Sequence, residues 1–289
     1  MDIESKILED KALAPFCTFQ IGGLADYFLE ASSTEEVVAG IDWAEERDLP
    51  FFVFSGGSNL LFDDGGFRGL VIRVKSSGIQ VAGEEIMADS GVIMAKVVLA
   101  AQQAGLTGLE AWNGLPGSVG GAVYGNAGCF GVETKDVLMS AEVFIPGEGV
   151  KTLTAEDLAY EYRNSRLKKE GGVVLSARFK LQKGDPGAIQ EKMKEIARSR
   201  IQKQPPGCST GSFFKNPPGD HAGRLIEAAG FKGKQLGKAK ISEQHANFFL
   251  NTGGATAAEI LQLADLAEKE VLKQFGVQLE REVVYVASE

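Results

Sequence analysis

Six glycines fall within Gly114–Gly128, and this density constrains the fold more than any other feature of the chain. Glycine adopts positive φ at little cost and places no Cβ in front of backbone N–H groups, so such a segment can bind a phosphate. A second glycine-rich turn, Ser55–Asn59, follows a short apolar run. Neither segment has the GxGxxG pattern that opens a helix in a Rossmann domain, which disfavours that fold. We therefore expect two separate turns, Ser55–Asn59 and Gly114–Gly121, to hold one diphosphate from both sides.

The rest of the sequence alternates predicted strands and helices, and its length indicates two or three subdomains. Capping boxes at Ser33–Glu36 and Thr256–Glu259 predict two helices that begin at these residues. Ser90 is predicted to cap another helix, over Val92–Ala104. Apolar runs predict strands at Phe51–Phe54, Val71–Val74, Val137–Ile145, Val173–Leu181 and Val277–Val286. A run rich in lysine and arginine predicts one further helix, at Ala188–Ile201.

The composition is that of an ordinary globular protein, with 44% hydrophobic and 24% charged residues. No run approaches the roughly 18 apolar residues of a membrane helix, and the acidic N-terminus lacks the basic start of a signal peptide. The three cysteines, Cys17, Cys129 and Cys208, fit neither a disulfide framework nor a zinc pattern. We therefore expect a cytoplasmic, reduced and metal-free protein that binds no membrane.

Charge is distributed unevenly along the chain, which carries −9 in total. Residues 161–240 hold 18 Lys and Arg against 7 Asp and Glu, a balance of +11, so the remainder carries −20. The total lacks the basic excess of a nucleic-acid-binding protein. The basic third is compatible with attraction of a small multiply charged anion and equally with a solvated basic face. Charge alone favours neither.

Several motifs occur in one order along the chain. Besides the two glycine turns, they are Thr18–Gly23, Tyr162–Ser165, Gly211–Pro217, Ala239–Asn247 and Leu279–Val283. Together they resemble the UDP-N-acetylenolpyruvoylglucosamine reductase family, flavoenzymes that complete UDP-N-acetylmuramic acid for bacterial peptidoglycan. Some members insert a loop that bears a tyrosine after the Tyr-Arg motif. Here only 36 residues separate Arg163 from Arg200 and none is tyrosine, so the chain resembles the shorter, type II class.

The resemblance implies an α+β protein with the FAD-binding fold of the vanillyl-alcohol-oxidase (PCMH) type and a C-terminal α+β substrate domain. It implies FAD-binding subdomains at residues 1–70 and 71–199 and a substrate-binding domain at residues 200–289, whose final strand can pack back on the first subdomain. The FAD is expected to be noncovalent, because His221 and His245, the only histidines, are far in sequence from both glycine turns. The cofactor-binding residues carried over are Ser55, Gly56, Gly57, Ser58, Asn59, Leu60, Gly117, Ser118, Gly120, Gly121, Asn126, Ala127 and Val174.

In the family reaction, hydride passes from NADPH to FAD, and the reduced flavin delivers it to the enolpyruvyl methylene carbon of the nucleotide-sugar substrate. Negative charge then develops on the neighbouring carbon and its carboxylate, where a fixed cation and a proton-sharing carboxyl stabilise it. The resemblance assigns these two roles to Arg163 and Glu282, and it makes Ser212 the proton donor to the carbon. In the predicted final strand Glu282 shares a face with two valines, a setting that favours a neutral carboxyl. Glu280 lies on the same face and is the rival assignment.

These residues also have simpler interpretations. Without the family motif, Arg163 would be a surface arginine paired with Glu161, and Ser212 a turn residue or helix cap. We assign His221 to surface structure.

The basic third is expected to bind the substrate. The resemblance assigns Lys203 and Asn216 to the nucleotide sugar, with Lys215 and Arg200 as neighbouring cations whose roles are less defined. His245 occupies a position where other members direct a polar side chain towards the substrate, although a structural histidine is an equal alternative.

Two other functions remain open on the sequence. A flavin oxidase of the same fold would use oxygen and a small alcohol, and a catalytically silent regulator would only bind a nucleotide sugar or flavin. The Gly211–Pro217 motif and Glu282 argue against the oxidase, and the joint presence of Arg163, Ser212 and Glu282 argues against the regulator. The sequence leaves the oligomeric state open, and a monomer is compatible with it.

Overall fold

The structure, a computed structural model, describes residues 2–288. It divides into two compact units, each built from three separate stretches of chain. The first unit comprises Met1–Ile7, Phe28–Gly56 and Val71–Arg200, and the second comprises Leu8–Tyr27, Gly57–Leu70 and Ile201–Glu289. The three-part division expected from the family resemblance stays a prediction.

Seven α-helices are present in the described residues, and side-chain caps begin two of them, the first and the last. The α-helices are α1 (Thr34–Glu45), α2 (Met94–Gln103), α3 (Val119–Gly125), α4 (Leu167–Glu170), α5 (Pro186–Lys203), α6 (Ala222–Ala228) and α7 (Ala257–Phe275). The Ser33 hydroxyl accepts a hydrogen bond from the Glu36 N–H at 3.3 Å, as the first capping box predicts. In the second box, the Glu259 N–H donates to the Thr256 hydroxyl at 3.1 Å and the Thr256 N–H donates to the Glu259 carboxylate at 3.2 Å. Within residues 2–288, no helix is long and apolar enough to span a membrane.

The strands are mostly short. They are β1 (Leu8–Ala12), β2 (Leu24–Ala31), β3 (Phe51–Phe54), β4 (Leu60–Phe62), β5 (Phe67–Val74), β6 (Ile79–Ala82), β7 (Glu85–Asp89), β8 (Leu106–Thr107), β9 (Gly128–Cys129), β10 (Val132–Glu133), β11 (Leu138–Ile145), β12 (Gly149–Thr154), β13 (Val173–Lys180), β14 (Gln182–Lys183), β15 (Gln235–Leu236), β16 (Ala239–Ile241), β17 (Phe249–Asn251) and β18 (Val284–Val286). One four-stranded sheet has the order β1-β2-β5-β3.

The first unit is organised around an antiparallel sheet of order β12-β11-β13-β7-β6. Helix α3 packs against β13, and helix α2 contacts β7 and β8. Trp112 and Phe179 are fully buried in this core and meet edge to face, with ring centroids 6.2 Å apart. This core supports the glycine-rich segment, because α3 begins inside that segment.

The second unit combines a small antiparallel sheet, β15-β16-β17, with the parallel pair β18-β4 and helices α6 and α7. Helix α7 buries one apolar stripe at helical spacing: Ile260, Leu263, Ala264, Ala267 and Val271. It ends at Gly276, whose φ of +69° makes glycine the favoured residue there. Phe213, Phe214 and Phe249 form an aromatic cluster with centroids between 4.5 and 5.8 Å apart.

The predicted cap at Ser90 is wrong. Helix α2 begins only at Met94, and Ile93 precedes it without a side-chain cap. The chain near Ser90 is instead paired with the glycine-rich segment: the Gly120 N–H donates to the Ser90 carbonyl at 2.9 Å, and the Val119 N–H donates to the Val92 carbonyl at 2.9 Å.

The glycine-rich segment differs from the prediction in the same region. Its predicted turn, Gly114–Gly121, is a turn only as far as Ser118, because Val119–Gly125 forms α3. Glycine is a poor helix former, so the local sequence argues against this helix. Hydrogen bonds to residues 90 and 92 override that local preference.

The predicted final strand, Val277–Val286, is also wrong over most of its length. Only Val284–Val286 forms a strand, β18, which pairs with β4. Upstream, the chain pairs irregularly with another segment: the Glu282 N–H donates to the Phe213 carbonyl and the Lys215 N–H donates to the Glu280 carbonyl, both at 2.8 Å. Glu282 therefore lies outside the strand, and the argument from a shared strand face does not hold.

Candidate active site

The two glycine turns meet in the first unit at Gly56 and Gly117. A Cβ added to Gly56 would lie 3.1 Å from the Gly117 Cα, and Gly117 has a φ of +110°. A side chain at position 56 would push the segments apart, so their contact depends on glycine. The two turns are therefore neighbours in space, as a joint grip on one diphosphate requires.

Several backbone N–H groups at this contact are available to a ligand. Among the residues that the structure describes, no protein acceptor is bound by the N–H groups of Gly56, Gly117, Ser118 or Gly121. The Ser118 side chain does not cap α3 either. A Cβ on Gly121 would meet only the Ser118 Oγ, at 3.8 Å. Unpaired donors without side chains in front of them suit an anion, so these residues fit the diphosphate of a cofactor.

Ser90 is a residue that the sequence analysis missed as a site candidate. Its Oγ is buried and has no hydrogen-bond partner in the described part of the chain. Its Cβ would lie 2.9 Å from a Cβ on Gly120, at the start of α3. A buried hydroxyl without a partner is costly, so a cofactor atom that accepts or donates here would relieve that cost. A serine in a loop gives no sequence signal for this.

The predicted cofactor residues divide between the two units. Ser55, Gly56, Gly117, Ser118, Gly120, Gly121, Asn126, Ala127 and Val174 belong to the first unit, and Gly57, Ser58, Asn59 and Leu60 to the second. Val174 is buried in β13 opposite Val143. The Ala127 carbonyl accepts from the Thr134 N–H and hydroxyl. A Cβ on Gly57, which has a φ of +59°, would lie 2.2 Å from the Phe16 carbonyl oxygen, so glycine is required there by packing.

Two of the predicted polar side chains bind the protein itself. The Asn59 amide donates to the Glu282 carbonyl at 2.9 Å. Asn126 is fully buried, and its amide donates to the Glu133 carboxylate at 3.1 Å and to the Glu161 carbonyl at 2.9 Å. A cofactor contact by either residue would therefore use the backbone, and their cofactor role stays a prediction.

Arg163 lies in a tight turn of the first unit. The Glu161 N–H and the Asn164 N–H each donate to the other residue's carbonyl, at 3.1 and 3.2 Å, and Arg163 has a φ of +56°. Its guanidinium donates to the Gly128 carbonyl at 2.6 Å and lies 5.3 Å from the Tyr162 ring centroid. The Glu161 carboxylate accepts from the Asn164 side chain at 2.9 Å. The guanidinium is thus oriented by the backbone of the glycine-rich segment.

Ser212 and Glu282 come together in the second unit. The chain at Ser212 pairs with Phe248, and the adjacent Phe213 carbonyl accepts from the Glu282 N–H at 2.8 Å. Asn247 fixes this segment, since its side chain both accepts from and donates to the Phe214 backbone, at 2.9 and 2.8 Å. Two residues that are 70 positions apart in the sequence therefore occupy neighbouring backbone positions.

The rival carboxylate, Glu280, has a different environment. Its exposed side chain forms an ion pair with Lys215, one of the predicted substrate-binding residues. Glu282 is half-buried, and its carbonyl accepts from Asn59. The two glutamates are thus separated by environment, which the sequence pattern did not distinguish.

A cavity of about 320 Å³ opens in the second unit beside Ser212. Asn216, His245 and Asn247 line it, together with His221 and other residues around α6. The Asn216 side-chain oxygen accepts from the Ala222 N–H at 3.1 Å, at the beginning of α6. The predicted proton donor and two predicted substrate-binding residues therefore share one cavity, and His221, which was assigned to surface structure, also faces it.

Burial lowers the pKa of His245, and the positive charge of Lys232 adds to this effect. The Asn247 N–H donates to the Nδ1 atom of His245 at 3.2 Å. A neutral ring that accepts at Nδ1 carries its proton on Nε2. His245 can therefore offer one N–H donor at the cavity, which suits an oxygen-rich ligand.

The two remaining cations, Lys203 and Arg200, differ in burial and in partners. Lys203 is exposed at the end of α5 and does not line the cavity. Arg200 is buried in the first unit, where its guanidinium donates to the Asn113 carbonyl at 2.8 Å and contacts the Cys129 thiol at 3.1 Å. Arg200 therefore holds the segment that leads into Gly114, a structural role that the sequence left undefined.

Several cations of the basic third form local ion pairs. Examples lie within the first unit on α5, such as Lys192 with Glu195, and within the second unit, such as Lys240 with Glu243. These pairs are exposed and neutralise one another, which favours the solvated-face interpretation for those residues.

Comparison with known proteins gives matches over nearly the whole chain. Residues 202–286 match the family described as UDP-N-acetylenolpyruvoylglucosamine reductase, C-terminal domain, and residues 25–154 match the FAD binding domain family. The UDP-N-acetylenolpyruvoylglucosamine reductase of Chloroflexus aurantiacus is 44% identical over 283 residues, which cover 95% of each chain.

Solved structures give matches that agree with the sequence comparison. The crystal structure of UDP-N-acetylenolpyruvylglucosamine reductase from Thermus caldophilus has a TM-score of 0.82 and 35% identity, covering 96% of this chain and 97% of that one. Phl p 4.0202, a glucose dehydrogenase, has a TM-score of 0.50 and 13% identity over 63% of this chain and 42% of its own. At that identity, the second likeness shows the fold alone.

Proposed function

This chain belongs to the UDP-N-acetylenolpyruvoylglucosamine reductase family, and we propose that it uses NADPH and FAD to reduce the enolpyruvyl group of UDP-N-acetylglucosamine enolpyruvate to UDP-N-acetylmuramate. It is an FAD-binding oxidoreductase of α+β fold, and the fold is that of the vanillyl-alcohol-oxidase type, as the resemblance implies. Reduction of this nucleotide sugar belongs to peptidoglycan synthesis. A cytoplasmic location stays a prediction.

The observation that carries the proposal is the backbone pairing of the segment that carries Ser212 with the segment that carries Glu282, next to a cavity lined by Ser212, Asn216 and His245. Binding alone needs no proton donor next to a carboxyl group. Reduction of a carbon–carbon double bond needs both, because charge develops beside the carboxylate and the carbon must then be protonated.

FAD, when bound, supplies the hydride-carrying chemistry that links NADPH to the substrate. The N–H groups of Gly56, Gly117, Ser118 and Gly121 would hold its diphosphate.

In the proposed mechanism, Arg163 binds the substrate carboxylate with its planar guanidinium and stays with it as negative charge develops. Glu282 in its protonated form shares its proton with the enolate oxygen. The Ser212 hydroxyl then donates a proton to the carbon that carries the carboxylate. A serine hydroxyl is a weak acid, but this carbon is a strong base, so the transfer is downhill.

Binding of the nucleotide-sugar portion is assigned to Asn216 and His245 in the cavity, with Lys203 and Lys215 as further cations. Lys215 would exchange its partner Glu280 for a phosphate oxygen. This pair is open to solvent on its Glu280 side, where water screens the charges, so the exchange costs little.

Two half-reactions test the proposal on purified protein. We expect a yellow protein whose flavin absorbance is bleached by NADPH without oxygen and restored by the enolpyruvyl nucleotide sugar, but not by UDP-N-acetylglucosamine. A flavin restored by oxygen and insensitive to the enolpyruvyl sugar would indicate an oxidase. A protein that binds the nucleotide sugar but holds no flavin would indicate a regulator, and either result overturns the proposal.

A further inference from the structure

Asn126 closes the second glycine-rich segment, between helix α3 and strand β9. We propose that Asn126 is a positioning residue that fixes the turn carrying Arg163, and that its side chain makes no contact with the cofactor. The inference rests on the proposed function, because it gives Asn126 a part in the recognition of the substrate carboxylate by Arg163.

The polar atoms of the Asn126 side chain all bind other residues of the first unit. Asn126 is fully buried, and its backbone is left-handed, with a φ of +45°. Its amide nitrogen donates to the Glu133 carboxylate at 3.1 Å and to the Glu161 carbonyl at 2.9 Å. Its amide oxygen accepts from the Lys135 N–H at 3.1 Å. Both amide protons are therefore committed to the protein, and none is left for a ligand.

The bond to Glu161 matters because Glu161 opens the turn that carries Arg163. Arg163 has a φ of +56°. A non-glycine residue in this conformation stores strain and keeps it only where its surroundings hold it. Asn126 holds the first residue of the turn, and the Ser165 hydroxyl holds the other end by donating to the Tyr124 carbonyl at 2.6 Å.

The guanidinium of Arg163 is oriented by the same piece of chain. It donates to the Gly128 carbonyl at 2.6 Å, two residues beyond Asn126. Residues 124–128 therefore fix both the backbone and the charged group of Arg163. The unpaired N–H groups of Ser118 and Gly121 lie at the opposite end of α3, so loss of the Asn126 side chain acts on Arg163 more than on the diphosphate grip.

Recognition of a carboxylate by guanidinium is directional, so a loosened turn weakens it. In Asn126→Gly, the glycine keeps the left-handed conformation without strain and removes only the side-chain bonds. We expect this variant to retain FAD at wild-type stoichiometry and to be reduced by NADPH at a rate within about twofold of wild type. We expect the dissociation constant of the enolpyruvyl nucleotide sugar, measured from the shift of flavin absorbance, to rise about tenfold. Loss of a buried hydrogen bond has an effect of this size. Reoxidation by that substrate should slow at least as much.

A ligand without the carboxylate separates Arg163 from the rest of the site. UDP-N-acetylglucosamine lacks the enolpyruvyl carboxylate, so its dissociation constant, measured by calorimetry, should be the same for wild type and Asn126→Gly. Ser165→Ala releases the other end of the turn and should show the same selective loss to a smaller degree. If Asn126→Gly does not fold, the two nucleotide-sugar affinities of Ser165→Ala test the proposal in its place.

Thr134→Val is the matched control for general loosening of this segment. Thr134 is as buried as Asn126 and its hydroxyl donates to the Ala122 and Ala127 carbonyls at 2.9 and 3.1 Å. It makes no bond to residues 160–165. Thr134→Val should therefore lower thermal stability while leaving the ratio of the two nucleotide-sugar affinities unchanged.

Three results would overturn the proposal: loss of FAD from Asn126→Gly, equal weakening of both nucleotide sugars, or the same selective loss in Thr134→Val. These outcomes are distinct from failure of the proposed function. In that case the wild-type flavin itself would not be reoxidised by the enolpyruvyl nucleotide sugar.

Discussion

At the scale of single residues, the structure separates side chains that share a chemistry by the partners it gives them. Glu280 is exposed and pairs with Lys215, whereas Glu282 is half-buried with its backbone bonded to Phe213 and Asn59. Glu282 therefore has the more enclosed environment of the two glutamates.

The two glutamates give a matched pair of variants. We expect Glu282→Gln to bind FAD normally and to lose about 100-fold or more in the rate of flavin reoxidation, the range for removal of a proton-transferring group. Glu280→Gln removes an exposed ion pair and should change the same rate by about threefold or less. Stopped-flow absorbance of the flavin measures both. Near-normal reoxidation in Glu282→Gln would contradict the assignment.

His245 gives a prediction in pH. Burial lowers its pKa in the folded protein, so at mildly acidic pH the unfolded chain binds a proton that the folded protein does not. Stability therefore falls as pH falls below the ordinary histidine value of about 6.5, and the loss grows until the pH passes the folded pKa. His245→Gln removes this proton uptake, so the drop in Tm between about pH 7.5 and about pH 5.5 should be smaller than in wild type. An equal drop in both proteins would show that His245 does not contribute.

At the scale of elements, local signals predicted some helix ends correctly, and non-local hydrogen bonds decided the rest. Thr256 and Glu259 cap α7 as the sequence indicates, because both partners lie within one turn. Helix α3 was missed, since its beginning depends on pairing with residues 90–94. The final strand was overextended, because its residues bond to the segment at Phe213.

The same distinction applies to the candidate site. Arg163, Ser212 and Glu282 could be predicted as site residues, because each lies in a short motif whose adjacent residues match the family. The roles of Ser90, Arg200 and the side chain of Asn126 could not, because their partners are distant in sequence and no local pattern encodes them.

Helix α3 offers a prediction that separates cofactor binding from folding. Gly121 has an unpaired N–H, and a Cβ added there would make only an ordinary contact with the Ser118 Oγ, at 3.8 Å. Gly125 has nothing within 4 Å of an added Cβ. Alanine at either site should stabilise the helix itself by about 0.5–1 kcal/mol. We expect Gly121→Ala to fold and to bind FAD at least about tenfold more weakly, because its methyl group stands in front of the diphosphate donors. Gly125→Ala should bind FAD as wild type does. Fluorescence quenching of added FAD measures the affinity of each variant. Equal affinities in the two variants would contradict binding of the diphosphate at Gly121.

At the scale of the whole molecule, neither unit is one continuous segment. The chain crosses the unit boundary at residues 7–8, 27–28, 56–57, 70–71 and 200–201. The turn Ser55–Asn59 contributes Gly56 to the first unit and Gly57 to the second. Folding of each unit therefore depends on pairing of segments that are distant in sequence, which makes its completion slow relative to local helix formation.

Because the diphosphate donors exist only in the folded chain, FAD should stabilise the whole protein by mass action. At a free FAD concentration about 100 times its Kd, the expected gain is about 2.7 kcal/mol. For a chain of this size that corresponds to a rise in Tm of about 4–5 °C. Differential scanning calorimetry of the FAD-stripped protein, with and without added FAD, measures this rise. Gly125→Ala should show the full rise and Gly121→Ala little of it at the same FAD concentration, since only the latter loses affinity. A wild-type protein whose Tm does not respond to FAD would contradict a cofactor site built from these backbone donors.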